Sequence, residues 1–168
     1  MISLFCERIS EVKIRQDFVT NSSSSSFVVA FKDEESIRPE LESEASLYRY
    51  VDRVLRDIKA NRITKEEALH EFKDEMEWDI RFDIENFIER KMRCNYSEFV
   101  DWKRKPENAT SIDRAVKERL SDEFEKFKEK LEGMDYIALV EYDDHCDYEL
   151  EQEIMPRLGC TVQRFNHH

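Results

Sequence analysis

The chain has 168 residues, 39% of them charged, and a formal net charge of −12. That excess of carboxylates argues against nucleic-acid phosphates or an anionic membrane as the main partner, because both need a cationic face, and it suits a basic protein partner. The length fits a single α+β domain over residues 1–168, and no apolar run approaches the roughly 18 residues of a membrane span.

Taken in chain order, Glu7 and Arg8 interrupt the short apolar stretch of MISLFCERISE, which is therefore not patterned as a secretory signal. Ile2–Phe5 and Val12–Ile14 have the character of short strands. Next comes DFVTNSSSSSFVVAF, in which five serines, Ser22–Ser26, lead into a buried-type strand over Phe27–Phe31. The tract has three open readings. It forms a flexible loop, since serine solvates its own backbone. Alternatively Thr20, Asn21, Ser22, Ser23, Ser24, Ser25 and Ser26 form a cradle of donors for an anion, although no phosphate-loop pattern accompanies them. Or the hydroxyls are a target for processing, although no neighbouring base marks a self-processing centre.

The acidic stretch Asp33–Glu44 reads as a connector into a helical insertion spanning residues 40–132. Leu47, Val51, Val54, Leu55 and Ile58 form one apolar stripe at helical spacing. Thr64 followed by Glu67 is a capping box, opening a helix predicted to reach Arg93 with Leu69, Phe72, Met76, Ile80, Ile84, Phe87 and Ile88 on its buried side. Trp78 and Phe82 mark a place where it would kink. With Trp102 they form either core or an exposed patch for a partner. A helix over Tyr96–Lys103 stops before Pro106, and Ser111 is expected to cap the next, with Ile112, Val116, Leu120, Phe127 and Leu131 inward and Gly133 closing it. Tyr136–Tyr142, YIALVEY, is a strand covered on both faces. A short helix over Asp147–Leu158 and a last strand over Thr161–Phe165 complete the pattern. Strands at both ends with helices between predict a small mixed or antiparallel sheet covered by a layer of four to five helices.

The closing third carries the clustered metal-type ligands. Asp143 and Asp144 follow the strongest strand, Glu151 sits on the next helix, and His167 and His168 end the sequence. Carboxylates with imidazoles suit zinc, iron or manganese, provided three or four donor atoms converge at about 2.0–2.2 Å. Against this, Asp-Asp after a strand is ordinary turn chemistry, and the spacing matches no established zinc pattern. Cys6, Cys94, Cys146 and Cys160 form no CxxC pair and are expected as reduced thiols in the cytoplasm.

KIRQDFVTNSSSSSFVVAF (Lys13–Phe31), EYDDHCDYELEQEIMP (Glu141–Pro156) and RFNHH (Arg164–His168) together resemble a family of small proteins of Gram-positive bacteria and their mobile elements. Members begin on a Thr-Asn-Ser-rich tract running into a strand and finish on an acidic turn and terminal histidines. The resemblance covers the two ends and not the helical middle, and it brings no assigned activity. It implies that Met1–Glu11 is either an N-terminal extension or a misplaced start. Two functions are compatible with these features: an acidic cytoplasmic protein that binds a protein partner, or a metal-binding protein or metal-dependent hydrolase using the Asp/Glu/His cluster.

Overall fold

In a computed structural model, described over residues 24–167, the serine tract is already strand: β1 runs Ser24–Phe31. The expected strands at Ile2–Phe5 and Val12–Ile14, the extension to Glu11, Thr20–Ser23 and His168 lie outside the described residues. β1 pairs antiparallel with β3 (Tyr136–Asp143) on one side and β4 (Thr161–His167) on the other. A two-residue strand β2 (Arg62–Ile63) joins the far side of β3, giving the order β2-β3-β1-β4. β2 falls inside the segment expected to be wholly helical. The register places Ser24 opposite both Asp143 and His167, Ser25 opposite Tyr142 and Asn166, and Ser26 opposite Glu141 and Phe165. The two ends of the chain therefore share one sheet.

Because side chains alternate along a strand, β1 feeds two cores. Phe27, Val29 and Phe31 pack with Ile37 and Leu41 of α1 (Glu34–Ser43), Val54 and Ile58 of α2 (Val51–Ala60), and Leu150 and Ile154 of the turn after β3. Val28 and Ala30 pack with Phe72 of α3 (Lys65–Met92) and Phe127 and Leu131 at the end of α5 (Pro106–Lys130). Helices thus cover both faces of the sheet rather than forming one layer. A third cluster, Ile80, Ile112 and Val116, with Trp102 of α4 (Tyr96–Lys103) against it, holds the helices together beyond the sheet.

Several boundaries follow directly from local chemistry. Thr64 Oγ1 accepts from the Glu67 amide while the Glu67 carboxylate accepts from the Thr64 amide, so the capping box forms as read. The 28-residue α3 it opens is continuous through Trp78 and Phe82 and ends at Arg93, which takes the left-handed conformation at φ 52°. α4 has the predicted limits and is capped by Asn95. Other readings need correction. Asp33–Glu44 is not a connector: Asp33 caps α1, accepting from the Ser36 amide at 2.8 Å. Ser111 does not start α5. Pro106 does, since the first turn of a helix needs no amide donor there, and the Ser111 hydroxyl donates back to the Glu107 carbonyl. Phe87 is exposed rather than buried. The stretch expected as a short helix is a π-helical turn, Glu149–Ile154, followed by a 3-10 turn, Met155–Arg157.

Candidate functional site

Ser24, Ser25 and Ser26 stand at one end of the central strand, and alternation sends their hydroxyls to different faces. Ser25 faces the first core. Its Oγ donates to Oε1 of Glu151 at 2.5 Å and accepts from Nε and Nη2 of Arg164 at 3.1 and 3.0 Å. Arg164 Nη2 also reaches Glu151 Oε1 at 3.2 Å, and the Gln152 amide donates to Glu151 Oε2 at 2.6 Å. Glu151 is only 1% exposed, so this carboxylate is buried against a guanidinium, a hydroxyl and an amide. Such a buried group is tolerable only when paired and hydrogen-bonded. A hydroxyl has one proton. With that proton on Glu151, the 3.2 Å contact from Ser25 to Asn166 Oδ1 is secondary.

Ser24 and Ser26 face the second core. Ser24 Oγ donates to Glu141 Oε1 at 2.9 Å. Ser26 Oγ lies 2.8 Å from Nε2 of His167, whose Nδ1 lies 3.6 Å from Oε2 of Glu75 on α3. Burial pushes the Glu75 carboxyl up from the usual carboxylate range, with the imidazole pulling the other way and Glu71, Asp79 and Asp74 adding to the rise. The structure thus supplies what the local sequence around the serines lacks: a base, brought from the far end of the chain by the β1–β4 pairing.

Of the residues expected as metal ligands, the described ones, Asp143, Asp144, Glu151 and His167, do not converge, and His168 lies outside the described residues. Glu151 and His167 lie on opposite faces of the sheet, since they contact the adjacent strand residues Ser25 and Ser26. Asp143 Oδ1 is taken up by its own turn, accepting from the amides of His145 and Cys146 at 2.9 and 2.6 Å. Asp144 sits in that turn, half-buried. Among the described residues no group of three or more His, Cys, Asp or Glu is placed to hold a metal ion. The anion-cradle reading fares no better for Ser24–Ser26, because these residues are strand-paired on both sides and carboxylates face two of the hydroxyls. Thr20, Asn21, Ser22 and Ser23 lie outside the described residues.

Sequence reasoning missed Arg164, Asn166, Glu75 and Glu141. For Arg164 and Asn166 a signal existed: RFNH alternates polar and ring side chains, as a strand with one face on each core would. Nothing local marks Glu75.

A second feature lies along α3. Trp78 and Phe82, four residues apart, stack at 5.5 Å with planes 6° from parallel, and they are 52% and 53% exposed. Ile80, the buried anchor of this stretch, is about 200° round the helix from Trp78, so the stack points away from the core. Trp102 belongs instead to the inner cluster, stacking on Phe99 at 6.0 Å. The side of α3 that carries the stack also carries Glu71, Asp74 and Glu89, and its cation Arg81 is already held by Asp113 at 2.7 Å.

Among the described residues no helix is long and apolar enough to cross a membrane. Comparison with family models, curated proteins and solved structures gives no match.

Proposed function

We propose that this chain is an interaction protein that binds a basic segment of a partner protein on the outer face of α3. The observation that carries the reading is the Trp78–Phe82 stack, two large rings held parallel in solvent on a helix otherwise rich in charge. A pre-stacked pair presents a flat apolar platform with little side-chain freedom left to lose on binding, which is the property of aromatic anchors at interfaces. The surrounding carboxylates select the ligand. An arginine guanidinium can lie on the indole face and pair with a neighbouring carboxylate at once, whereas an acidic segment would meet repulsion. The net charge of −12 adds long-range steering of a basic partner. On this reading the protein acts in the cytoplasm, in keeping with the free thiols of Cys94, Cys146 and Cys160.

The test is a titration of the protein with a short Arg-rich peptide and with its Glu-substituted counterpart, followed by isothermal titration calorimetry. The Arg-rich peptide should bind in a salt-sensitive way, and Trp78→Ala with Phe82→Ala should weaken it by about tenfold or more. Equal binding of the two peptides, or unchanged binding by the double variant, removes the reading.

A further inference from the structure

The contacts of Ser26 have a chemistry that an interaction surface does not use. A serine hydroxyl is a poor nucleophile unless a base takes its proton, and the base must in turn be oriented by a third group. All three parts are present. Ser26 Oγ is 2.8 Å from His167 Nε2, and Glu75 Oε2 is 3.6 Å from Nδ1 on the other side of the same ring. The carboxylate favours the proton on Nδ1, which leaves the Nε2 lone pair facing the hydroxyl. The parts come from three elements, β1, β4 and α3, so the arrangement is tertiary and not a local turn motif. Ser26 itself is 5% exposed, but the side chains of His167 and Glu75 are 29% and 35% exposed, so the relay meets solvent at the imidazole.

We infer that Ser26 is a reactive serine, with His167 as its base and Glu75 as the residue that positions the imidazole, and that it accepts acyl groups from small activated esters. In the step, Oγ bonds to the ester carbonyl carbon as His167 Nε2 takes the hydroxyl proton. The carbon–oxygen bond to the leaving alkoxide or phenoxide then breaks, and that oxygen receives the proton, leaving an acyl-Ser26 ester. Water releases the acid by the same route. The strand-paired backbone around Ser26 offers no evident pair of amides for the developing oxyanion, so an ester with a good leaving group is required and release is slower than acylation.

The probe is p-nitrophenyl acetate, with nitrophenolate release followed by absorbance and the acetyl group located by peptide mass mapping of the intact-sequence protein. Acetyl on Ser26 is expected, absent from Ser26→Ala. In His167→Gln its rate should fall about a hundredfold, the usual worth of a general base, and in His167→Gly added imidazole should restore part of it. Glu75→Gln should lower the limiting rate several-fold while the half-saturating ester concentration stays unchanged, a split that a merely structural contact would not give. Absence of acetyl from Ser26 in the unsubstituted protein, its appearance only on lysines or other hydroxyls, or acylation of His167→Gln at the unsubstituted rate overturns the inference.

Discussion

Three neighbouring serines have three different environments, and each predicts a different cost of truncation. Ser25→Ala removes the proton donated to the buried Glu151 and the acceptor for Arg164, so it should destabilise by about 1–3 kcal/mol. Glu151→Ala strands the guanidinium of Arg164 at the buried end of its contact and should cost about 3–5 kcal/mol. Ser24→Ala gives up only an exposed hydrogen bond to Glu141 and should stay within about 0.5 kcal/mol. Urea unfolding of the three variants measures this series; equal, small effects at all three positions would mean that the tract is not a paired strand. The serine contacts could not be read locally. The partners of Ser25 and Ser26 lie 126 and 141 positions away, at Glu151 and His167. Serine has no β preference that would distinguish a strand from a linker. Only the continuous apolar run from Phe27 points to strand, and it does not say where the strand begins.

Helix limits were legible wherever a side chain satisfies the orphan amides of a first turn. Thr64 with Glu67 did so for α3 and fixed its start to the residue. Thr64→Ala should therefore cost about 1 kcal/mol, seen as a lower urea midpoint with little change in the slope of the transition. An unchanged midpoint would show that tertiary packing, and not the cap, sets that end. Two boundaries differ from the sequence pattern because a residue there has two roles open to it. Pro106 can stop a helix or open one, and Asp33 can begin a loop or cap a helix. Packing decided both, by giving Ile37 and Leu41 of α1 a place beneath the sheet and by running α5 along α3. Helical spacing alone also puts Phe87 inside, whereas its ring is exposed, with Lys91 Nζ 5.5 Å from its centroid.

At the scale of the whole molecule, a phenol and a thiol, Tyr142 and Cys160, are buried in the core between the sheet and α1, α2 and the π-helical turn. Burial pushes the Cys160 thiol up to about 12 from an ordinary 9.0. Burial, and then the neighbouring Asp57, pushes the Tyr142 hydroxyl well above its ordinary 10.0. In both cases the folded state holds the proton more tightly than the unfolded state does. Stability is then fully present below the ordinary values and falls as pH rises past them, by about 1.4 kcal/mol per pH unit for each group engaged. The fall should begin near pH 9 with Cys160 and steepen near pH 10 with Tyr142. Urea midpoints measured across this range check it. Cys160→Ala should flatten the first part of the decline, and a flat profile to pH 11 or so would mean that neither group stays buried in its neutral form.

By itself the sequence determined the α+β class, the strands over YIALVEY and FVVAF, and the long capped helix between them, because periodicity and capping act over a few residues and can be read a few residues at a time. It also predicted that the two ends would meet in a sheet, since buried-type strands at both ends need partners. Which serine faces Glu151 and which faces His167 was decided only in the tertiary structure. The choice rests on the register of β1 against β4, where a slip of one residue sends every hydroxyl to the opposite face. The same holds for the Trp78–Phe82 stack: its exposure depends on which side of α3 the second and third cores occupy, and that is a property of packing between elements distant in the chain.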